Sequence, residues 1–476
     1  MSPSVEPFNE AKYKALMDGL KCKEILLSDT VTATDYFRLE AEYYNSTTVS
    51  YRRSLKGKDV ALNIQYGTSK YCDEQKAGYP VLRLNELHNS FIDTPQKYCH
   101  TLSSDEFEKL RLKKGDVLII RTNGNPNLVG RAAVVLEDFD CAFASYLYRV
   151  NTNEQINPET LVAYLNCKYG RYEIDKNSIK GNQTNFSPAK FRDISIPKFD
   201  VTLQKAIKNL FEKAYQCRLN ANSEFVSAEQ MLIAAIGFVG FESDLNNVAI
   251  KTFSESYINT GRLDAEYYLP RYDGYVRKIG MDETVSSLCS LNDKNFVPND
   301  ETEYLYIELA DVGGFGNIGE VKKVLGKDLP SRARRQVKTG QIIVASVEGS
   351  LQSCALITEE YNNALCSTGF YILSSNKSNS ETLLVLFKSK PIQELLKQRC
   401  SGTILTAITK DELLDMPLPE IEIQVQIEIA KRVRESFALR NQSEHLINLA
   451  KSVVEYAIEK NEEKALKWLN EKGVEC

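Results

Sequence analysis

The chain has 476 residues, 43% of them apolar and 26% charged, with 59 basic against 64 acidic side chains and a net charge of -5. That length exceeds what one hydrophobic core usually serves, so two or more domains are expected, and the ordinary composition excludes a disordered chain. No stretch approaches the roughly 18 to 20 apolar residues of a membrane span, and the acidic balance alone neither requires nor forbids nucleic acid, because a positive face depends on where the basic residues lie.

The start, MSPSVEPFNEAKY, lacks a basic region followed by an apolar one, so no secretory signal is read there. Eleven cysteines without a CxxC pair and three histidines, His88, His100 and His445, point to reduced thiols in a cytoplasmic protein and to no metal site. Residues 1–33 have no counterpart later in the chain and are read as an N-terminal arm.

From there the chain is written twice. RLEAEYYN, Arg38 to Asn45, returns as RLDAEYYL, Arg262 to Leu269, 224 residues later. KKGDVLIIR, Lys113 to Arg121, matches KTGQIIVAS, Lys338 to Ser346, with Gly115 opposite Gly340. A segment closing in DISIP at Pro197 matches one closing in DMPLP at Pro419, and Gln204 falls opposite Gln426. Four blocks in one order at nearly one offset argue for duplication.

Within each copy, short β-type runs are predicted at Asp116 to Ile120, Ala132 to Leu136, Gln341 to Val347 and Ala355 to Ile357. A helical piece follows, Pro158 to Tyr172 or Glu381 to Gln398, and a proline-marked strand closes each segment. The glycine-rich GGFGN at Gly313 to Asn317 lacks the lysine-serine pair of a phosphate cradle and is read as a turn. The paired tyrosines Tyr43, Tyr44, Tyr267 and Tyr268 are read as packing residues.

After each closure the period changes to that of a long helix. In the first, Leu203, Ile207, Leu210, Ala214 and Cys217 alternate four and three apart and continue through Ala221, Ala228 and Met231, with Glu224 at the missing step. In the second, Ile427, Ala430 and Phe437 suggest one seam, resumed by Leu446, Leu449, Val453 and Tyr456 after an interruption near Asn441 to Ser443. A helix from Leu203 to Met231 is about 43 Å long. Such seams must be buried, and each helix has the other as its cheapest partner. The expected fold is therefore α/β (α+β) lobes in tandem duplication on long antiparallel coiled-coil helices with pseudo-twofold symmetry. The divisions read are 34–200 and 241–420 for the lobes, 201–240 and 421–476 for the helices.

The blocks LRLKKGDVLIIRTNGNPNLVGRAAVV, Leu110 to Val135, and SGTILTAITKDELLDMPLP, Ser401 to Pro419, each followed by a glutamine-led helix, resemble the target-recognition domains of type I restriction-modification specificity subunits. The second copy departs from the pattern, carrying ASVEG where the first has RTNG. The resemblance implies a non-catalytic subunit that reads a bipartite double-stranded DNA target. It also implies two adenine methyltransferase partners, with restriction and translocase subunits joining through them, and no cofactor of its own. The nearest string to a methyltransferase NPPY tetrapeptide, Asn125-Pro126-Asn127, is wrong in type, and no GxxxxGK[ST] occurs. The main alternative is a protein-interaction scaffold that does not bind DNA, with two lobes on a helical rod. An enzyme site built around Asp116 and Glu308 finds no further support.

Candidate base-reading residues are Arg121, Thr122, Asn123 and Asn125 at a strand end, and Asn182, Gln183 and Asn185 ahead of the closing strand, with Arg399, Ser401, Thr403 and Thr406 as the second copy's counterparts. The same residues serve equally as ordinary turn and loop formers. Candidate phosphate contacts are Arg52, Arg53, Lys56, Lys58 and Lys180 in the first copy and Arg332, Arg334, Arg335 and Lys338 in the second.

Overall fold

The computed structural model describes residues 9–20, 24–32, 39, 41–45, 51–88, 90–244, 246–319, 321–402 and 406–473. The chain divides into two compact units, one of residues 1–217 with 442–476 and the other of 218–441, so each unit takes a part of both long helices. The predicted divisions at 200, 240 and 420 followed the change of period instead.

In the first unit, β1 (Ser54–Lys56) precedes the sheet strands β2 (Ala61–Tyr66), β3 (Val117–Ile120), β4 (Thr122–Asn123), β5 (Ala132–Val134) and β6 (Leu147–Thr152). The main sheet runs β2-β6-β3-β5, antiparallel throughout. Its β3 is VLII, buried at every position, which is why it reads as an unbroken apolar run. Helices α1 (Pro158–Asn166) and α2 (Lys168–Asn177), then β7 (Thr184–Asn185), α3 (Pro188–Asp193) and β8 (Ser195–Pro197), lead into the long α4 (Val201–Ala235). The single predicted helix over 158–172 is two helices, broken where Cys167 turns extended at φ -78°, ψ 168°. Gly170 permits that break, since a Cβ there would stand 1.9 Å from the Tyr164 carbonyl oxygen.

The second unit repeats the plan with β9 (Ser290–Asn292), β10 (Glu303–Ile307), β11 (Lys322–Leu325), β12 (Ala333–Gln336), β13 (Ile342–Ala345), β14 (Cys354–Leu356), β15 (Leu365–Ser367) and β16 (Phe370–Ser374). Its sheet β9-β16-β13-β14 has the order and antiparallel sense of the first. The fully buried β13 stands for β3. Gly115 and Gly340, at φ +91° and +81°, turn the chain into these central strands in a conformation that disfavours side chains. Helices α5 (Ser380–Lys388) and α6 (Lys390–Arg399) again replace one predicted helix, parted at the extended Ser389 just before Pro391. GGFGN is a turn, closed by the Gly313 and Asn317 backbones at 2.8 Å.

The last helices are α7 (Ile423–Glu459) and α8 (Glu462–Glu471). In the first unit, Leu203, Ile207, Leu210 and Ala214 are buried with Leu446, Leu449 and Val453 in one core, and Cys217 packs on its edge. In the second, Phe225, Ala228 and Leu232 meet Ile429 and Val433, with Ala430 4% exposed. The contacts run antiparallel in each. The Ser443 hydroxyl donates to the Ala214 carbonyl and that of Ser436 to Ala221, both at 2.7 Å. The Glu224 step is filled by an ion pair with Arg432 at 2.9 Å.

Two expectations for α7 are corrected. Ile427 is 50% exposed, because the buried row passes through Gln426, Ile429 and Val433 one step round the helix. No interruption occurs at Asn441 to Ser443. The polar Ser443 there belongs to the seam, where its small side chain and its bond to Ala214 let the helices approach.

The duplicated glutamines explain how each lobe is fastened to its helix. Gln204 Oε1 accepts from the Asn157 backbone at 2.8 Å, its own carbonyl accepts from Asn157 Nδ2 at 2.9 Å, and its Nε2 donates to the Gln155 and Phe199 carbonyls. Gln426 makes the same four bonds with Asn379, Lys377 and Ile421. Asn157 and Asn379 also cap α1 and α5. A buried amide with all its groups satisfied fixes one arrangement.

Candidate nucleic-acid interface

In the first unit β3 runs on through Arg121 into β4, and β4 pairs with β7. The two candidate loops, distant in sequence, are thereby one surface feature. The Arg121 amide donates to the Tyr146 carbonyl, and its carbonyl accepts from Phe186, both at 2.8 Å. The Arg121 guanidinium carbon lies 5.4 Å from the centre of the Tyr66 ring, and its buried Nε has no hydrogen-bond partner. Thr122 is buried and donates to the Thr184 carbonyl at 3.2 Å, so its hydroxyl serves the pairing. Asn123 Oδ1 accepts from the Asn125 backbone and Asn125 Oδ1 from Asn127, at 2.8 and 3.1 Å. Both amides therefore shape the turn with their oxygens while their NH2 groups remain donors. Asn182 and Gln183 are exposed at the tip of a loop whose neck is the reciprocal backbone bonding of Ile179 with Asn185. Lys180 pairs with Asp175 at 3.2 Å.

The second unit builds the same frame from different side chains. The Ser346 amide donates to Gly369, and Ile408 donates to the Ser346 carbonyl, both at 2.8 Å. Val347 bridges Ala407, and Ser401 bonds reciprocally with Ala407. Ser346, Val347 and Glu348 thus stand where the first copy has Arg121, Thr122 and Asn123. Glu348 donates its amide to the Thr406 carbonyl at 3.0 Å. Thr403 lies outside the described residues. Arg399 is only 7% exposed, with Nη1 donating to Gln398, and loss of water at its site lowers its pKa. Beneath the loop, Arg262 of the repeated RLDAEYY motif holds the Arg399 and Cys400 carbonyls at 3.2 and 2.8 Å and lies over the Tyr267 ring.

The basic clusters are placed variously. Arg52 is exposed. Arg53 pairs with Asp200 at 3.1 Å, and Lys56 donates to the Asp193 carbonyl and Ser195 beside β8. Lys58 is exposed on its surface but has a partner of its own. Arg334 and Arg335 lie along β12, an edge strand, and Arg332 in the turn before it pairs with Glu308 at 3.5 Å. Arg335 keeps two buried nitrogens without partners, close to the Tyr371 ring, and Lys338 donates to Asn363 at 2.9 Å. Asp116 is spent on a buried pair with Arg149 at 3.0 Å and on the turn before β3. Sequence reasoning missed Tyr66 and Arg171. Tyr66 ends an unremarkable strand, Arg171 sits within a helix, and only the strand register brings either to the loop.

Among the described residues no group of three or more histidine, cysteine or acidic side chains is arranged to hold a metal, and no helix is long and apolar enough to cross a membrane. The fold and site define a class, a duplicated α+β protein whose two units carry one loop frame with different side chains. No family model matches the chain. It is 23% identical over 391 residues to the "Putative type I restriction enzyme MjaX specificity subunit" of Methanocaldococcus jannaschii, covering 79% of this chain and 84% of that one. It is 25% identical over 143 residues to the type I restriction enzyme StySPI specificity subunit of Salmonella potsdam, 29% of this chain and 31% of that relative's length. Among solved structures, the type I restriction-modification S subunit of M. genitalium aligns with 87% of this chain and 96% of its own at 11% identity and a TM-score of 0.36. The HsdS subunit of Thermoanaerobacter tengcongensis covers 86% and 97% at 14% identity and 0.27. The chain is a relative of the specificity subunits of type I restriction enzymes.

Proposed function

We propose that the chain is the DNA-recognition subunit of a type I restriction-modification complex, reading a bipartite target with one unit for each half. The observation that carries this is the doubled loop frame. The backbone bonds at Arg121 and Ser346 are the same, while the side chains mounted on them differ in charge and size. A scaffold with one binding chemistry would carry the same side chains on both frames, whereas a reader of two different base sequences needs a fixed frame with exchangeable side chains.

In this reading Arg121, Asn123, Asn125, Asn182, Gln183 and Asn185 serve base edges in the first unit. The basic residues, exposed Arg52, Arg53, Lys56, Lys58 and Lys180 in the first and exposed Arg332 and Lys338 with half-buried Arg334 and Arg335 in the second, serve phosphates. Arg399, being buried, is left to hold the lobe. Two adenine methyltransferase subunits assemble with the chain, and restriction and translocase subunits join through them. The methyl donor and ATP belong to those partners.

The test is a map of methylated adenines by single-molecule sequencing of the source genome, with and without this gene. The reading predicts that deletion abolishes methylation at one motif of two short defined blocks around an undefined gap. An unchanged map, with the neighbouring methyltransferase expressed and active, overturns it.

A further inference from the structure

The loop between β4 and β5 is held from below by two cations. Arg131 Nε donates to the Asn127 carbonyl at 3.1 Å. Arg171 Nη2 donates to the same oxygen at 3.2 Å and to the Val129 carbonyl at 2.7 Å. Two guanidinium groups thus converge on one oxygen, and no described carboxylate forms an ion pair with either. Asp175, the nearest acid acting on Arg171, is engaged by Lys180 at 3.2 Å. Burial, and then repulsion from Arg131, pushes the Arg171 pKa down to about 10. Arg131 is exposed, so its outer nitrogens are open to a ligand, while Arg171 Nη1 is buried without an acceptor.

The second unit holds its loop with one cation instead of two, the Lys388 ammonium donating to the Gln352 carbonyl at 2.7 Å. There the neutral Gln393 does the work of Arg171, its Nε2 donating to the Leu351 carbonyl at 3.0 Å, and Leu351 stands where Val129 stands. The register of β5 and β14 on their central strands puts Ser353 at the position of Arg131. A loop that one lysine and an amide hold in the second unit is held in the first by two guanidinium groups, and no described carboxylate pairs directly with either. That excess is what an anion would offset.

We propose that Arg131 and Arg171 form a seat for one phosphate of the DNA backbone beside the Asn123–Asn125 turn, Arg131 making the contact and Arg171 positioning the loop and adding the second charge. This rests on the DNA-reading function proposed above. The seat sets the register in which the neighbouring amides meet the bases, and it carries no sequence preference of its own.

The second copy supplies the substitutions. Arg131→Ser with Arg171→Gln gives the first loop the side chains its counterpart carries at those two positions, and a thermal melt of the variant checks that the unit stays folded. Binding is measured by fluorescence anisotropy over a range of salt concentrations, for the full chain assembled with its methyltransferase. The duplexes are one bearing the mapped motif and one of random sequence. The expected result is a loss of about fivefold at physiological salt on both duplexes, and a fall of about 0.9 in the slope of log affinity against log salt. Arg131→Lys retains most of that slope. An unchanged slope and affinity, in a complex whose wild type still discriminates the two duplexes, overturns the phosphate seat alone. A change confined to the motif-bearing duplex overturns it in favour of base contact. If the wild type does not discriminate at all, the recognition reading itself fails.

Discussion

At the scale of residues, buried amides and acids matter more than the exposed charges that first draw attention. Gln204 and Gln426 each close four hydrogen bonds, so truncation leaves several buried groups without partners. Gln204→Ala is expected to cost about 2 to 3 kcal/mol, and Gln426→Ala a similar amount, read as a shift in the urea midpoint. A Gln204→Leu variant that is equally costly supports the bonding account, because it restores volume without restoring donors. Glu159 offers a test of opposite sign. It is 5% exposed, one of its oxygens has no partner, and burial raises its pKa. A raised carboxyl favours the folded state while protonated, and that advantage is lost as pH climbs above the usual carboxylate range. Glu159→Gln should therefore raise the urea midpoint at pH 7, with the gain shrinking as pH falls through the raised folded pKa and gone below about 4.5. An equal gain at both ends would assign the effect to something other than charge. The sequence placed Gln204 opposite Gln426 but could not reveal their partners Asn157 and Asn379, which lie 47 residues away from each.

At the scale of elements, the strands were legible wherever both faces are buried, as in VLII and IIVA, since an unbroken apolar run between turn residues has few other readings. Of the helical breaks, the one at Ser389 is marked by Pro391, which the single-helix reading passed over, whereas nothing in local propensity marks the one at Cys167. Gly170 does so only once the Tyr164 carbonyl is known to lie against it. In the long helices the seam of α4 is buried as read at Leu203, Ile207, Leu210, Ala214, Ala221 and Ala228, while farther on Phe225 and Leu232 are buried and Met231 only half so, and α7 was read one step out at Ile427. There the helix packs on its own lobe as well as on α4, so its buried face is wider than a two-helix seam. Ser436 and Ser443, taken from sequence as part of a break or passed over, bond across to the Ala221 and Ala214 carbonyls of α4. Ser443→Ala should cost about 1 kcal/mol for the lost bond to Ala214. Ser443→Leu should cost about 1 to 3 kcal/mol by overpacking, both read by chemical denaturation. Should Leu be tolerated as well as Ala, the helices are not held close at that step.

At the scale of the whole molecule, the duplication was the most legible feature, and it is also the source of the functional argument. Repetition fixed the frame of the loops, while the candidate base-reading set depended on which segments meet, and only the pairing of β4 with β7 joins Arg121 to Gln183. The same comparison between copies separates structural side chains from additional ones. Gln393 against Arg171 shows one clamp made by an amide in one copy and a guanidinium in the other, and Arg262 under the second loop gives its motif a structural role there.

The central claim is that the two units read separate halves of one target through equivalent loops. It is tested most directly by mapping methylated adenines genome-wide in strains carrying Arg121→Ala with Asn123→Ala, or Ser346→Ala with Glu348→Ala. The account predicts that the first variant relaxes or changes only one block of the motif and the second only the other, with the gap unchanged. A variant of one loop that alters both blocks, or loop variants that leave the motif intact while methylation remains complete, would contradict it.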